Sequence, residues 1–283
     1  MNILPERKQK RIAVINDFSG FGRCSLTVAI PIISAAGIEC CAVPTAIFSN
    51  HTGYREFYFD DYTDKMKSYF MQWKKLGLSF DGIYTGFLGS DRQIDIVTEF
   101  IRMFALPETL IITDPVMGDN GRTYATLTDG ICRHIGRLAA LADIITPNLT
   151  EACILTGYPY NSDICDTADL IEICSRLRNK GSRNIVLTGI CCGNDMCNFI
   201  YRSDNSYSMI SHPKTGGQRA GTGDVFASVL AADAVRGISL EESVRAAGEF
   251  TGKAIQLSED LNIPPEEGVC FELLLSELFR KNV

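Results

Sequence analysis

The stretch FDGIYTGFLGSDRQIDIVTEFIRMFALPETLIITD, running from Phe80 to Asp114, decides the fold. Phe80–Thr85 reads as a short buried strand. Ser90-Asp-Arg-Gln93 reads as a capping box that opens a helix. Ile94, Val97, Ile101 and Phe104 follow at helical spacing and form its buried stripe. Leu110–Asp114 is the next strand. A strand, a helix and a second strand in this order make a βαβ crossover, which is right-handed and leaves its two strands parallel.

The same alternation runs outward in both directions. On the N-terminal side lie the strand Ile12–Asn16, the helix Ser25–Ala36 closed by Gly37, and the strand region Ile38–Phe48. A helix follows, carrying Tyr62, Met66, Tyr69, Phe70 and Trp73 and closed by Gly77. On the C-terminal side lie the strand Asp143–Thr146, a helix with Leu170, Ile173, Cys174 and Leu177 on its apolar face, and the strand Asn184–Thr188. Helices are expected over Thr222–Arg236, Leu240–Leu257 and Phe271–Arg280. The expected fold class is α/β, a three-layer αβα sandwich with a mainly parallel central sheet. No repeat, linker or low-complexity tract divides the chain, so residues 1–283 are expected to form a single domain. Ligands of such sheets sit at the carboxyl ends of the strands. Asp17, Gly86, Asp114, Thr146 and Thr188 cluster at those ends.

Composition narrows the partners. The chain has 283 residues, 46% hydrophobic and 22% charged, as in an ordinary soluble globular protein. A net charge of −7 argues against nucleic acid or an anionic membrane as the partner. An anionic ligand therefore needs a local cradle of donors. The longest apolar region, Val28 to Phe48, is broken by Pro31, Gly37, Glu39 and Pro44, which excludes a membrane span. The eleven cysteines include no C-x2-C pair and lie mostly in apolar stretches, so they are expected to be buried thiols rather than zinc ligands or disulfides. With no secretory signal, the chain is expected in the cytoplasm.

Arg219-Ala-Gly-Thr-Gly-Asp-Val-Phe226 is the strongest local signal for chemistry. Two glycines allow a sharp turn and close backbone approach, and a helix starts at once. Its first N–H groups and positive dipole end form an anion hole suited to a phosphoryl group. Asp224 stands at its lip, placed to accept a proton from a hydroxyl. The bland alternative is that Thr222 caps the helix and Asp224 merely favours its dipole. No Walker A loop exists in the chain.

Asp114-Pro-Val-Met-Gly-Asp119 is a rigid turn with a carboxylate at each end, able to hold a divalent cation or simply to satisfy backbone amides. In Thr146-Pro-Asn-Leu-Thr-Glu151, Asn148 and Glu151 make a capping pair, and Glu151 can also stand beside the Asp119 turn to help organise Mg²⁺. Phe48-Ser-Asn-His-Thr52 offers an aromatic face, an imidazole and polar groups, a set suited to a flat polar heteroaromatic ring or to an ordinary polar turn. Lys214-Thr-Gly-Gly217 reads as a flap before the anion hole. His134 and His212 are isolated.

Together and in this order, these motifs resemble the pyridoxal kinase family of the ribokinase superfamily, over nearly the whole chain. Gly221-Thr-Gly-Asp224 is similar to the superfamily signature. Phe48-Ser-Asn-His-Thr-Gly53 is similar to the segment that faces the B6 ring, and it is more specific. Thr85-Gly-Phe-Leu-Gly-Ser90 and Ala142-Asp-Ile-Ile-Thr-Pro-Asn148 also match in wording and spacing. The resemblance implies a ribokinase-like fold and phosphorylation of a B6 vitamer's 5′-hydroxymethyl group by ATP, in cofactor salvage.

The resemblance also implies roles. Asp224 would be the general base, and Gly221, Thr222 and Gly223 would donate N–H groups. Asp114, Asp119, Thr146, Asn148 and Glu151 would arrange phosphates, Mg²⁺ and a monovalent cation such as K⁺. Tyr124, Thr188 and Gly189 would line the nucleotide side. Ser49, His51, Thr52 and Phe87 would face the vitamer. A homodimer is implied too. Two positions depart from the family. Asp17 stands where a neutral serine is common and could pair with a protonated ring nitrogen or accept from a ring hydroxyl. Phe87 stands where tyrosine is frequent. The alternative of the same superfamily is a hydroxymethylpyrimidine kinase. A nicotinamide-dependent oxidoreductase is disfavoured, because Asp17-Phe-Ser-Gly20-Phe-Gly22 is not G-x-G-x-x-G.

Overall fold

The computed structural model describes residues 8–124 and 127–279. Alternation along the strands sets the layers. In β1 (Arg11–Phe21), Ile12 and Val14 point into one core while Ala13 and Ile15 point into the other. β2 (Glu39–Asn50), β4 (Gly82–Thr85), β5 (Leu110–Thr113), β8 (Ile144–Ile145) and β9 (Asn184–Cys192) run parallel with β1. Three antiparallel strands complete the sheet: β3 (Phe59–Asp61) beside β2, then β10 (Asp195–Tyr201) and β11 (Tyr207–Pro213) beyond β9. The nine strands lie in the order β11-β10-β9-β8-β5-β4-β1-β2-β3. A separate two-stranded ribbon pairs β6 (Gly118–Asp119) with β7 (Arg122–Thr123).

One face is covered by α1 (Ser25–Ala35), α8 (Thr222–Val235) and α9 (Leu240–Asp260). The other is covered by α2 (Thr63–Lys75), α3 (Asp91–Phe104), the short α4 (Asp129–His134) and α5 (Gly136–Ala139), α6 (Leu149–Thr156) and α7 (Thr167–Asn179). This is the expected three-layer αβα arrangement with a mainly parallel sheet. α8 is buried on nearly every side from Val225 to Val235. A helix apolar all round belongs in a core, so its N-terminus is held rigidly.

Several local expectations change. The Ser90–Gln93 capping box does not form: Gln93 turns inward instead, accepting from Gly89 N–H at 2.8 Å and donating to Thr45 O at 2.8 Å and Thr63 Oγ1 at 2.9 Å. A fully buried amide takes the partners that satisfy both its ends. β1 runs five residues past Asn16, through a bulge between Asn16 and Phe18 where the register with β2 shifts. The terminal segment is a 3₁₀ turn over Glu272–Leu278 rather than an α-helix, and residues 280–283 lie outside the described residues. All eleven cysteines are free, as expected, but only Cys24, Cys153, Cys174, Cys197 and Cys270 are buried. No described helix is long and apolar enough to cross a membrane.

Candidate active site

Strand order reverses between β2-β1 and β4-β5-β8-β9, and a cavity of about 1050 Å³ opens at the carboxyl ends of these strands. Of the seventeen expected site residues, sixteen line it. Ser49 is the exception. Period-2 alternation sends Phe48 inward and leaves Ser49 exposed, where its hydroxyl bonds Asn50 and accepts from Tyr58 N–H. The expected contact of Ser49 with a bound ring is therefore corrected: it braces the β2–β3 hairpin, and Phe48 supplies the inward face.

The centre of the site is the start of α8. Gly221 is left-handed, with φ +73°, and a Cβ there would lie 1.8 Å from the carbonyl oxygen of Arg23. The turn at Arg23–Ser25 thus passes directly over Gly221. Val225 N–H is bonded to Gly221 O at 3.0 Å, so helix geometry leaves the amides of Thr222, Gly223 and Asp224 without intrahelical acceptors. A Cβ on Gly223 would meet nothing within 4 Å. Gly221 is required by the fold, and Gly223 leaves open space on the cavity side. The helix cap is Gly221, not Thr222, whose hydroxyl turns back to Arg219 O at 3.4 Å. Arg219 is buried and ties the loop down, donating to Ile263 O at 2.7 Å and pairing with Glu259 at 3.0 Å.

Asp224 is half-buried and held from β1 and α1. Asn16 Nδ2 donates to Asp224 Oδ1 at 3.2 Å. The Asn16 carbonyl accepts from Phe87 N–H at 2.8 Å and Asp17 N–H at 3.0 Å, which fixes the orientation of the amide. Ser25 N–H also donates to the Asp224 carboxylate. Burial raises the Asp224 pKa to about 6, with the Asp17 charge adding to it and the Ser25 and Asn16 bonds opposing. Ser25 is a non-glycine residue at φ +55°, a conformation that costs about 1–3 kcal/mol. In that conformation its amide serves Asp224 while its hydroxyl donates to Asp17 at 2.5 Å.

Asp17 is buried and also accepts from Ser19 Oγ at 3.0 Å. Burial moves its pKa up. Its neighbours on the wall are Phe48 and Phe87, edge to face at 6.0 Å. Thr52 lies on the loop beyond them. His51 accepts from Gly53 N–H at 3.1 Å through Nδ1, so Nε2 carries the proton and donates to Glu266 O at 2.6 Å. Both ring nitrogens are thus engaged within the protein. His51 latches the β2–β3 hairpin to the 264–268 loop while its ring lines the cavity.

Across the cavity, Asp114 and Glu151 are buried carboxylates. Burial, then the Asp224 charge, pushes Asp114 up to about 8. Burial, then Asp114, raises Glu151 well above the carboxylate range. Asn148 and Glu151 form the expected capping box, and Glu151 also accepts from Met117 N–H at 3.0 Å. Both of its oxygens are occupied by backbone amides. Asp119 accepts from Asn120 N–H at 2.8 Å and from Gln218 Nε2 at 2.5 Å. The Thr146 hydroxyl is buried beside the Asp114 carboxylate, where it opposes the rise in that pKa. No three His, Cys, Asp or Glu residues among those described converge as a ready metal cluster. Buried carboxylates that raise one another's pKa fit a cation held largely through water and phosphate oxygens, the habit of Mg²⁺. On the far side, Thr188 N–H reaches Pro147 O at 3.0 Å, Gly189 is left-handed, and Tyr124 stands 40% exposed.

The sequence reading missed Asn16, Ser25 and Gln218. Only Asn16 carried a local signal, as a polar residue closing an apolar strand.

Comparisons with known proteins agree with this fold. The family described as phosphomethylpyrimidine kinase matches residues 30–269. A Bacteroides thetaiotaomicron protein, provisionally described as a phosphomethylpyrimidine kinase and crystallised with pyridoxal, is 39% identical. It superimposes with a TM-score of 0.91 over 96% of each chain. Pyridoxal kinase from Lactobacillus plantarum is 27% identical, with a TM-score of 0.87 over 95% of this chain and 96% of that one. A pyridoxine/pyridoxal/pyridoxamine kinase of Bordetella avium is 25% identical over 249 residues, 83% of this chain and 81% of its own. The chain belongs to the phosphomethylpyrimidine kinase family, within the ribokinase-like superfamily that also holds the pyridoxal kinases.

Proposed function

We propose that the chain is a pyridoxal kinase, which transfers the γ-phosphoryl group of ATP to the 5′-hydroxymethyl oxygen of a B6 vitamer. The observation that carries this reading is the pairing of Asp224 with the open amides of Thr222 and Gly223 at the mouth of α8. The vitamer ring lies against Phe48 and Phe87, with Asp17 at its edge and Thr52 above it. Asp224 takes the hydroxyl proton, and the alkoxide oxygen attacks the γ-phosphorus in line. The bond from that phosphorus to the β-γ bridging oxygen breaks, and ADP departs. The amides of Gly221, Thr222 and Gly223 hold the migrating oxygens, so positioning and preorganised charge do most of the work. Asp114, Asp119, Asn148 and Glu151 would hold Mg²⁺ and its waters, which would offset phosphate charge. The Thr146 hydroxyl, beside Asp114, would face that water shell or a monovalent cation such as K⁺. Tyr124, Thr188 and Gly189 border the nucleotide.

Asp17 and the family's own description favour a second reading, hydroxymethylpyrimidine phosphorylation, because a buried carboxylate also suits the amino group of that ring. ATP turnover on pyridoxal, pyridoxamine, pyridoxine and hydroxymethylpyrimidine in parallel separates the two. Turnover on the pyrimidine alone refutes the B6 assignment. Exposed Phe18, Phe21, Ile47, Tyr58 and Phe59 around the β2–β3 edge support a homodimer through that edge. Light scattering that returns a monomer at micromolar concentration removes this part.

A further inference from the structure

The flap between β11 and α8 is tied to the β6–β7 ribbon through one side chain, Gln218. Gln218 lines the cavity, as do Asp119 and Asn120 on the ribbon. Gln218 Nε2 donates to Asp119 Oδ2 at 2.5 Å, and Gln218 Oε1 accepts from Asn120 Nδ2 at 2.8 Å. A carboxylate only accepts, so the two bonds together fix which end of the Gln218 amide meets Asp119. Asn120 is left-handed at φ +50°, and its N–H donates to Asp119 Oδ1 at 2.8 Å while its Nδ2 reaches Oδ2 at 3.4 Å. Oδ2 therefore takes two amide donors, one for each of its lone pairs, and Oδ1 takes one.

The flap is anchored at its two ends and loose between them. Lys214 N–H donates to Asn194 O at 2.9 Å. Arg219 is buried and pairs with Glu259 at 3.0 Å. Between these anchors stand Gly216, at φ +59°, and Gly217, whose N–H meets Glu259 Oε1 at 3.3 Å. Two adjacent glycines give the span backbone freedom to swing between fixed ends.

We propose that Gln218 is a latch released by a divalent cation: Gln218 and the cation compete for Asp119 Oδ2, so that cation binding at Asp119 frees the flap. The inference takes the placement of Mg²⁺ near Asp119 from the kinase reading above and adds the residue that opposes it. An amide hydrogen and a metal ion are both positive and seek the same lone pairs. With two donors seated on Oδ2, one of them must leave before a cation coordinates there. A water of the cation's shell that bonds Oδ2 needs the same lone pair. Asn120 is the next residue along the turn and stays beside Asp119 whatever happens. Gln218 lies 99 positions away in the chain, with the two glycines behind it, and is the donor that can withdraw.

The test combines hydrogen–deuterium exchange on the full chain with Mn²⁺ titration followed by electron paramagnetic resonance. In the wild-type protein, the amides of residues 215–218 should exchange faster in MgCl₂ than in EDTA. Gln218→Met keeps the stem of the side chain and removes both polar ends. It should show the fast exchange in both buffers and bind Mn²⁺ at least about threefold tighter, the scale of an exposed charged contact. Gln218 is exposed, so this variant should keep the wild-type melting temperature. Asp119→Asn should weaken Mn²⁺ binding and abolish the response to MgCl₂. Exchange at 215–218 that ignores MgCl₂, or a Gln218→Met protein with wild-type Mn²⁺ affinity, overturns the latch and leaves the cation at Asp119. An Asp119→Asn protein with wild-type Mn²⁺ affinity removes the cation from Asp119 and the latch with it.

Discussion

Two glycines one residue apart at the start of α8 should respond in opposite ways to the same added methyl group. At Gly221 a Cβ would sit 1.8 Å from Arg23 O, on a backbone at φ +73°. The left-handed conformation costs a non-glycine residue roughly 1–2 kcal/mol, and forcing a methyl into a packed contact adds about 1–3 kcal/mol. Gly221→Ala should therefore destabilise the fold by about 2–5 kcal/mol. For a domain of this length that is a fall in melting temperature of roughly 4–10 °C. At Gly223 the backbone is not left-handed and the added atom meets nothing within 4 Å. Gly223→Ala should leave stability unchanged, or raise it by about 0.4–1 kcal/mol through the unfolded chain. Its methyl would occupy the space proposed for the transferring phosphoryl, so kcat/KM should fall by at least ~10², the scale of losing one oxyanion donor. Differential scanning fluorimetry and steady-state kinetics on the two variants decide the matter. A Gly223→Ala enzyme with normal turnover would refute the placement of the phosphoryl group. A Gly221→Ala protein with wild-type melting would refute the account of the turn.

Asp224→Asn should lower kcat by at least ~10² with ATP affinity near normal, measured by isothermal titration and initial rates. Because burial sets the Asp224 pKa near 6 and a base must be ionised, kcat/KM should fall as pH drops below about 6, with no matching loss of ATP binding. Thr52→Ala should raise KM for the vitamer more than KM for ATP, whereas Ser49→Ala, which lies off the cavity wall, should change neither by more than about twofold, in line with the ±0.5 kcal/mol typical of surface changes. Asp114 is raised from 3.8 to about 8, so its own contribution to ligand-free stability is full below about pH 4 and declines as pH rises toward 8. Asp114→Asn should flatten that decline in pH-dependent melting curves; an unchanged slope removes the buried charge as its cause.

What the sequence made legible follows from locality. The stripe Ile94, Val97, Ile101 and Phe104 reads as a helix because its burial follows its own period. Gly221-Thr-Gly-Asp224 reads as an anion site because a helix start exposes amides whatever lies around it. The strands β10 and β11 were not legible. Polar residues face outward along this edge, and Gly189, Gly193 and Asn194 read as breakers where the chain in fact turns a hairpin. The work of Asn16, Ser25 and Gln218 was hidden for a different reason. Each acts on a residue far along the chain: Asn16 on Asp224, 208 positions away, and Gln218 on Asp119, 99 positions away. The second task of His51 was hidden in the same way, because nothing local reveals the Glu266 carbonyl that receives its proton.

That long reach has a consequence for how the molecule comes to life. The carboxylate at the mouth of α8 is oriented by Asn16 and Ser25, among the first residues to be synthesised, and Arg23 N–H meets Glu267 O only when the chain is nearly finished. Contacts so distant in sequence form late in folding. A nascent or prematurely terminated polypeptide lacks the closing segment, so Asn16 and Ser25 stand ready on a paired β1 and β2 with no carboxylate to orient. Competence arrives in one step, with the final fifth of the polypeptide.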